Sequence, residues 1–570
     1  MDTLQAGQPT ISSRFRRPGF LGFLLLLTVS STLLILPTVE GQSTSTNPIL
    51  FSQLDKINKL ELFATWPKEK PELVLALTGQ MVGYIQKCGC SSPQKGGLER
   101  RYNFLDWLRT GKGWEVLPLD LGDLSDADRS KLQKQSLLKY QVGMESLQAM
   151  GYRAIAVGQD EFRFPLIDAL ATFSLQDAKA FPKVHGANLL RRNDDFPSED
   201  GSMILSSDVY PGKSMKVGIV GLVGRGLITE INKIDSKIGF AEKSDEVVKS
   251  SLEEIQKRVK EVPTINVLLY QGDLEDARIA AKFFPQFQII VCRSAESEPP
   301  AQPTMVGDTM ILRVGHKGQN VGVVGVFKEK GKLTLHYEKV IIGEEYETPA
   351  DREKDNPVLT KFDWYAKEVR DRKFLPQFPK SPHPMQAAFP KEKIEFVGTA
   401  ACLGCHGQEN LSWEKTKHAK GYAALENVAR HPSMRNFDGE CIVCHTVGFN
   451  YTSGFDGTKA TDHLKDVGCE NCHGPGSLHT KNPIAKAYYA YLSPWKIQPK
   501  DKLPDAALLQ KLLEAKNPEE RMKLIAPAQE KTLLRVDDIC QKCHDPDNDP
   551  HFRFEKYWPQ IAHTGLKNMK

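Results

Sequence analysis

The chain carries little net charge for its length. Its 75 Lys and Arg against 71 Asp and Glu leave +4 over 570 residues, too little to mark nucleic acid as a partner. No stretch after residue 45 is long and apolar enough to span a bilayer. Branched aliphatic residues are scarce from 400 to 570, where Lys, Asp, Gly and Pro dominate, so that third is a poor candidate for an ordinary hydrophobic core. The whole chain is too long for one such core, and two to three domains are expected.

The N-terminus reads differently. Arg14, Arg16 and Arg17 precede an apolar run from Phe20 to Pro37, and Val39-Glu40-Gly41 offers small residues at a cleavage site. Residues 1–41 are therefore expected to be a secretory signal or an uncleaved membrane anchor. Either way the bulk of the chain is expected in the periplasm or another extracytoplasmic space. Arg16-Arg17 is a poor twin-arginine match, and no cysteine follows the run to take a lipid.

Eight of the eleven cysteines lie after residue 400, all in one pattern. They form Cys402-Leu-Gly-Cys405-His406, Cys441-Ile-Val-Cys444-His445, Cys469-Glu-Asn-Cys472-His473 and Cys540-Gln-Lys-Cys543-His544. Cys-x-x-Cys-His is the attachment signature of c-type haem: two thiols add to the porphyrin vinyl groups and the His becomes the proximal iron ligand. Zinc sites need paired Cys-x-x-Cys but no His after each pair, and disulfides leave the histidines unexplained. The expectation is four covalently bound haem c groups, with short helices and loops wrapped on them.

Of the fourteen histidines, ten follow residue 400, and four of those are proximal. His418 is expected to end a helix from Trp413 toward Leu425, His479 follows a Gly/Pro turn, and His563 closes an aromatic helix from Phe552. These three are the candidate distal ligands, since imidazole is the usual nitrogen ligand of haem iron. His431, His463 and His551 have weaker settings. Cys402 to His418 with Trp413, Gly468 to His479 and Cys540 to His563 together resemble the tetrahaem cytochrome c-554 type over about 395–570. That resemblance implies mostly bis-His haems, closely packed porphyrins and one open axial position, with His418, His479 and His563 as distal ligands. Nothing in the haem motifs explains Pro483–Val536, which has a helical pattern near Ala506–Leu524.

From about Glu72 to Gly343 the texture is α/β. Apolar runs at Leu73–Leu77, Trp114–Leu119, Ala154–Val157, Val217–Leu222, Ile265–Leu269, Phe287–Val291 and Val321–Phe327 read as strands. Helical patterns at Leu98–Leu108, Arg129–Met150, Ser244–Val262 and Leu274–Phe284 alternate with them. The fold class is thus an α/β layered sandwich over 70–345, closing on a strand at Leu333–Ile342. A helical and Pro-rich linker (346–394), its Pro-rich part expected to be extended, leads to a mostly α, loop-rich cytochrome domain (395–570).

Several strand ends resemble the calcineurin-like metallophosphoesterase and 5′-nucleotidase superfamily. The matches are Gly96-Gly97-Leu98-Glu99-Arg100-Arg101, Gly122-Asp123, Gly158-Gln159-Asp160-Glu161-Phe162 and Gly315-His316. The resemblance implies two metals held by about six ligands, yet Gln80, Val82, Gln159, Asp160 and Gln271 stand where most of those ligands belong. Asp123 and His316 remain, with Gln159 a weak third. Two or three ligands will not hold a dinuclear hydrolytic site, so this domain is expected to be non-hydrolytic. Cys88 and Cys90 could be a bridge, a soft metal site or free thiols; Cys292 reads as a buried small hydrophobe.

The leading expectation is electron transfer with redox partner proteins. An oxidoreductase acting on a small nitrogen or sulfur compound at an open haem is the alternative, and a periplasmic phosphoesterase with a cytochrome tail comes third.

Overall fold

The computed structural model describes residues from 57 to 562, without 58–59, 88–91, 127–130, 165–168, 171–172, 174–180, 191–203, 235–237, 428–433 and most of 493–534. The expectations for residues 1–41, Cys88, Cys90, His431, Ala506–Leu524 and His563 lie outside the described residues, apart from isolated positions 511, 514 and 520.

The strands, in chain order, are β1 (Leu73–Thr78), β2 (Val116–Asp120), β3 (Ala154–Ala156), β4 (Lys183–His185), β5 (Leu189–Leu190), β6 (Ile204–Leu205), β7 (Ser207–Pro211) and β8 (Lys216–Val223). They continue as β9 (Gly239–Phe240), β10 (Thr264–Gln271), β11 (Ile289–Cys292), β12 (Thr304–Val306), β13 (Thr309–Arg313), β14 (Asn320–Glu329) and β15 (Lys332–Ile341). One sheet runs β15-β14-β1-β2-β3-β4-β6 and a second β12-β13-β11-β10-β8-β7. The centre of each sheet is parallel, with β1 pairing β2 from Val74↔Val116 to Thr78↔Asp120 and β8 pairing β10 from Lys216↔Thr264 to Val223↔Gln271. Such strands are covered on both faces, which is why β1 is apolar and buried along Leu73–Leu77.

The two faces of β1 go to different cores. Leu73, Leu75 and Leu77 meet Val217, Ile219, Val267 and Leu269 between the sheets, while Val74 and Ala76 face the helices outside. Helix Ser244–Val259 and helix Leu274–Phe283 cover the outer face of the second sheet through Val248, Ile255, Ala277 and Ala281. The result is the layered α/β sandwich that the alternation predicts.

The Pro-rich stretch departs from expectation. Asn356 caps helix Pro357–Asp371 by accepting from Val358 N at 3.0 Å, and Pro357 sits at its first position, where no amide is needed. The helix buries Val358, Leu359, Phe362, Tyr365 and Val369. Chain beyond it is folded rather than extended, into a 3-10 turn at Leu375–Gln377 and a short helix at Met385–Ala388. The reason is aromatic: Phe374, Phe378 and Phe396 are buried, and Phe378 meets Phe449 at 5.0 Å between ring centroids. One apolar cluster therefore runs from Val74 and Phe104 through Phe362 and Phe378 to Ile442, Phe449 and Phe455. The described residues form a single compact unit. From 395 onward the described chain is short helices and loops, and its only pairings of strand type are isolated bridges such as Thr446↔Lys465.

Candidate functional site

Each pentad is wound into a helical turn. Cys441–His445 lies in helix Gly439–His445, started by Asp438, whose carboxylate accepts from Glu440 N at 2.9 Å. Cys469–His473 is itself a one-turn helix. In the other two the turn is closed by His406 N donating to Cys402 O (3.0 Å) and His544 N donating to Cys540 O (2.9 Å). A helical turn puts positions i, i+3 and i+4 on one face, so both thiols and the imidazole of each pentad share a side. This is why the spacing must be two residues and the His must follow at once.

Thiols of different pentads are neighbours. Cys402 lies close enough to Cys469, and Cys444 to Cys543, for each thiol to shift the proton affinity of its neighbour. Cys472 is likewise a neighbour of Cys543 and of Cys540. Glu470, buried inside the third pentad, accepts from Gly398 N and Gly476 N, both at 2.7 Å, and from Val397 N at 3.0 Å, tying residues 397–398 to that turn. His383 also reaches the third pentad: a Cβ on Gly474 would sit 3.4 Å from its ring, while its Nδ1 accepts from Met385 N. Neither residue stands out in the sequence, because no motif marks it.

The imidazoles are oriented for ligation. His445 donates from Nδ1 to Gly421 O at 2.6 Å, His473 to Leu492 O at 2.7 Å, and His544 to Asp549 Oδ2 at 2.8 Å. A proton fixed on Nδ1 leaves Nε2 as the ligating nitrogen. Burial lowers the pKa values of His418, His445 and His479, favouring the neutral form that binds metals. His479, on the short helix Ser477–Lys481, stands 6.2 Å from His406 between ring centroids, and His418 stands 6.0 Å from His544. A metal-bound nitrogen sits about 2 Å from the ion and about 1 Å from its own ring centre, so two imidazoles across one metal leave centroids about 6 Å apart. Both pairs have that spacing.

The structure thus sets His479 beside His406 of the first pentad and His418 beside His544 of the fourth, neighbours that the sequence left open. It also corrects the helix expected through His418. Helix Gly407–Glu414 stops, Thr416 is extended (φ −88°, ψ 161°), and His418 lies in a 3-10 turn, Lys417–Lys420. The break follows from Trp413, whose indole N–H is spent on Val467 O at 2.8 Å, and from the hydrogen bond from Val467 N to His418 O. The expected aromatic helix after the last pentad is present as Phe554–Ile561.

A porphyrin fits these donors. Besides thiol pairs and spaced imidazoles, Leu403, Leu411 and Val443 around the pentads are exposed apolar side chains of the kind a macrocycle covers. The arrangement suits covalent attachment of c-type haem.

A second cluster lies at the C-terminal ends of the parallel strands, where α/β sheets bind ligands. Gln80 follows β1, Asp123 follows β2, Gln159 follows β3, Gln271 ends β10 and His316 follows β13; all but Gln271 meet Arg293 or Ser294 after β11. Gln80 accepts from Ser294 N (2.7 Å) and donates to Ser294 O (3.1 Å), and His316 Nε2 donates to Ser294 O at 2.8 Å. Arg293 pairs with Asp123 Oδ2 at 3.4 Å and donates to Gln159 Oε1 at 3.0 Å. Gln271 donates to Leu121 O. Gly122 makes the close turn at φ +99°, where a Cβ would strike Ala156 O. Burial, then the Asp123 charge, push Asp160 up to about 7 and Glu161 up to about 8. Arg293 went unseen in the sequence reading because it matches no motif, although it directly follows Cys292, which is buried as expected.

Residues 401–474 match the family described as cytochrome c554 and c-prime. Cytochrome c-554 of Nitrosomonas europaea is 34% identical over 91 residues, 14% of this chain and 39% of that protein, so the chain spans well under half of that relative. Covalently bound haem c is what this family implies. The α/β half is similar to a 5′-nucleotidase precursor from Thermus thermophilus (21% identity, TM-score 0.40, 52% of this chain and 59% of that one). It is also similar to the calcineurin-like phosphoesterase YfkN of Bacillus subtilis (16% identity, TM-score 0.39, 52% and 97%). These likenesses concern the fold and carry no weight for activity.

Proposed function

We propose that this chain is an exported tetrahaem c-type cytochrome that passes electrons between redox partner proteins, in the periplasm or another extracytoplasmic space, with residues 1–41 as its signal or membrane anchor. The observation that carries it is the pair of imidazole–imidazole spacings, 6.0 and 6.2 Å, beside four Cys-x-x-Cys-His turns. Bound haem c supplies a one-electron couple. Cys402, Cys405, Cys441, Cys444, Cys469, Cys472, Cys540 and Cys543 hold the porphyrins. His406, His445, His473 and His544 ligate one face. His479 and His418 close the first and fourth sites, and His563 is proposed for a third. The nearness of Cys402 to Cys469 and of Cys444 to Cys543 would bring the edges of sites one and three, and of two and four, side by side, which suits transfer within the chain. Haem quantification on the chain matured in a c-type host should give four per polypeptide, and a count of two or fewer would sink the proposal.

A second reading is oxidoreductase chemistry on a small nitrogen or sulfur compound at the site of Cys441 and Cys444. A narrow cleft of mixed lining, with Gln86, Tyr365, Arg435 and Asp438 beside Ala366, Val369 and Met434, lies one turn before Cys441. Electron paramagnetic resonance separates the two: a high-spin ferric signal that binds nitric oxide on reduction supports chemistry, and four low-spin signals support a pure carrier.

The strand-end cluster is proposed to be non-hydrolytic, since the Arg293 guanidinium sits on Asp123 and Gln159, where a metal would need them free. Full-length protein with added manganese, zinc or iron should not turn over nucleotide monophosphates. Metal-dependent turnover lost in Asp123→Ala would revive the hydrolase.

A further inference from the structure

Two of the proximal imidazoles rest on neutral acceptors, His445 on Gly421 O and His473 on Leu492 O. His544 is different, since its Nδ1–H faces the Asp549 carboxylate at 2.8 Å. We propose that Asp549 is a positioning residue that makes the haem carried by Cys540 and Cys543 the lowest in potential of the chain, an inference that rests on the tetrahaem reading above.

The physical argument starts at the imidazole. An Nδ1–H shared with a carboxylate gives the ring partial imidazolate character, and a more electron-rich ligand favours ferric over ferrous iron. No proton leaves the pair; the couple remains one electron onto Fe(III) giving Fe(II). A backbone carbonyl also accepts the hydrogen but brings no net charge.

The carboxylate is held for this task. Asp549 N donates to Asp545 O at 2.8 Å, and Asp545 accepts from Asp547 N and Asn548 N at 2.9 and 2.8 Å, so residues 545–549 form a closed turn. The α/β half grips that turn from outside. Lys317 pairs with Asp547, Gln319 donates to the same carboxylate at 3.0 Å, and Gln94 donates to Asn548 O at 2.8 Å. Phe552 stacks on His544 at 4.5 Å and 16°, fixing the ring plane. Lys317 directly follows His316 of the strand-end cluster and donates its amide to Gln80 O at 2.8 Å. A cluster proposed to have no hydrolytic work thus supports the turn that carries Asp549.

The test is a spectroelectrochemical titration of full-length holoprotein. Asp549→Asn keeps an acceptor and removes the charge, so the lowest midpoint potential should rise by about 59 mV, a tenfold change in the ferric-to-ferrous ratio for one electron, with the other three unmoved. Asp549→Ala should raise it at least as far, and Asp549→Glu should recover much of the shift. Asp547→Asn removes the same charge without touching the imidazole and should move the potential far less. Four haems with an unmoved lowest potential in Asp549→Asn, or equal shifts in Asp549→Asn and Asp547→Asn, would overturn the inference. A wild-type preparation lacking haem on Cys540 and Cys543 by peptide mass would instead overturn the tetrahaem reading beneath it.

Discussion

The two halves of this chain solve the folding problem by different means. In the α/β half β1, β2, β8, β10 and β11 are buried along nearly their whole length, and three apolar clusters separate and cover the two sheets. In the cytochrome half the fully buried large side chains are few, among them Ile442, Phe449, Phe455 and Leu464, and they belong to a cluster that begins in the other half. What the second half has instead is polar stitching around the pentads: Glu470 on three backbone amides, Asn471 on Thr446 O and Trp413 on Val467 O. A core of side chains can be built from sequence periodicity alone. A core centred on a prosthetic group needs only ligands, caps and turns from the chain.

The largest expected effect tests that contrast directly. Replacing all eight pentad cysteines by serine should leave the strand signal in circular dichroism near its original size while residues 400–562 become the dominant site of limited proteolysis. Loss of the strand signal as well would show that the sandwich depends on the haem half and would break the comparison. A smaller blow falls on the shared cluster. Phe362 is 1% exposed on helix Pro357–Asp371, and Phe362→Ala should cost about 3–5 kcal/mol. Because the cluster runs through both halves, denaturant unfolding followed by circular dichroism and by the Soret band should shift together.

The same contrast explains what could be read in advance. The strands were legible because both faces are buried and the runs are rich in Val, Ile and Leu with no charged residue, as in Val217–Leu222. The pentads were legible because five residues in a row carry the whole chemistry. The pairing of imidazoles was not, since His479 lies beside His406 across some seventy residues of chain and His418 beside His544 across more than a hundred. The folded state of the Pro-rich stretch was hidden for a similar reason: five prolines suggest extension, and only the burial of Phe374 and Phe378 reveals otherwise. Arg293 and Asp549 are single residues without a motif, and their roles exist only through the partners that the fold brings to them.

Between the halves lies an ionic seam whose pH response can be worked out. Burial alone would raise the Glu440 pKa, but Lys139 and Lys131 outweigh it and hold the carboxylate down to about 2, below its ordinary 4.5. A carboxylate depressed on folding adds stability above its unfolded value, and that stability is lost as pH falls from about 4.5 toward 2. Beside it Gln135 donates to Tyr365 Oη and Asp438, and Tyr365 donates to Asp438 at 3.0 Å, so the seam is continuous. With the Glu440 side chain about one-third open to water, Glu440→Gln should cost about 1–2 kcal/mol at neutral pH. The variant's stability curve should also be flatter than the parent's between pH 4.5 and 2, and parallel curves would place the acid sensitivity elsewhere.

The smallest expected effect is at Lys317. Its ammonium and the Asp547 carboxylate are each about 30% exposed, so solvent screens the pair and Lys317→Met should lower global stability by less than about 1 kcal/mol. A local consequence is expected all the same. Gln319 also holds Asp547, and Gln94 holds Asn548, so the turn at 545–549 keeps two of its three outside fastenings. Opening of that turn costs less than global unfolding, and weakening one fastening should lower its local protection without moving the rest of the molecule. Hydrogen exchange read by mass spectrometry should therefore quicken in peptides covering 545–549 and stay unchanged in those covering β1 or β10. Uniform quickening would show that Lys317 braces the sandwich rather than the turn, and unchanged exchange at 545–549 would show that Gln319 and Gln94 suffice to join the two halves there.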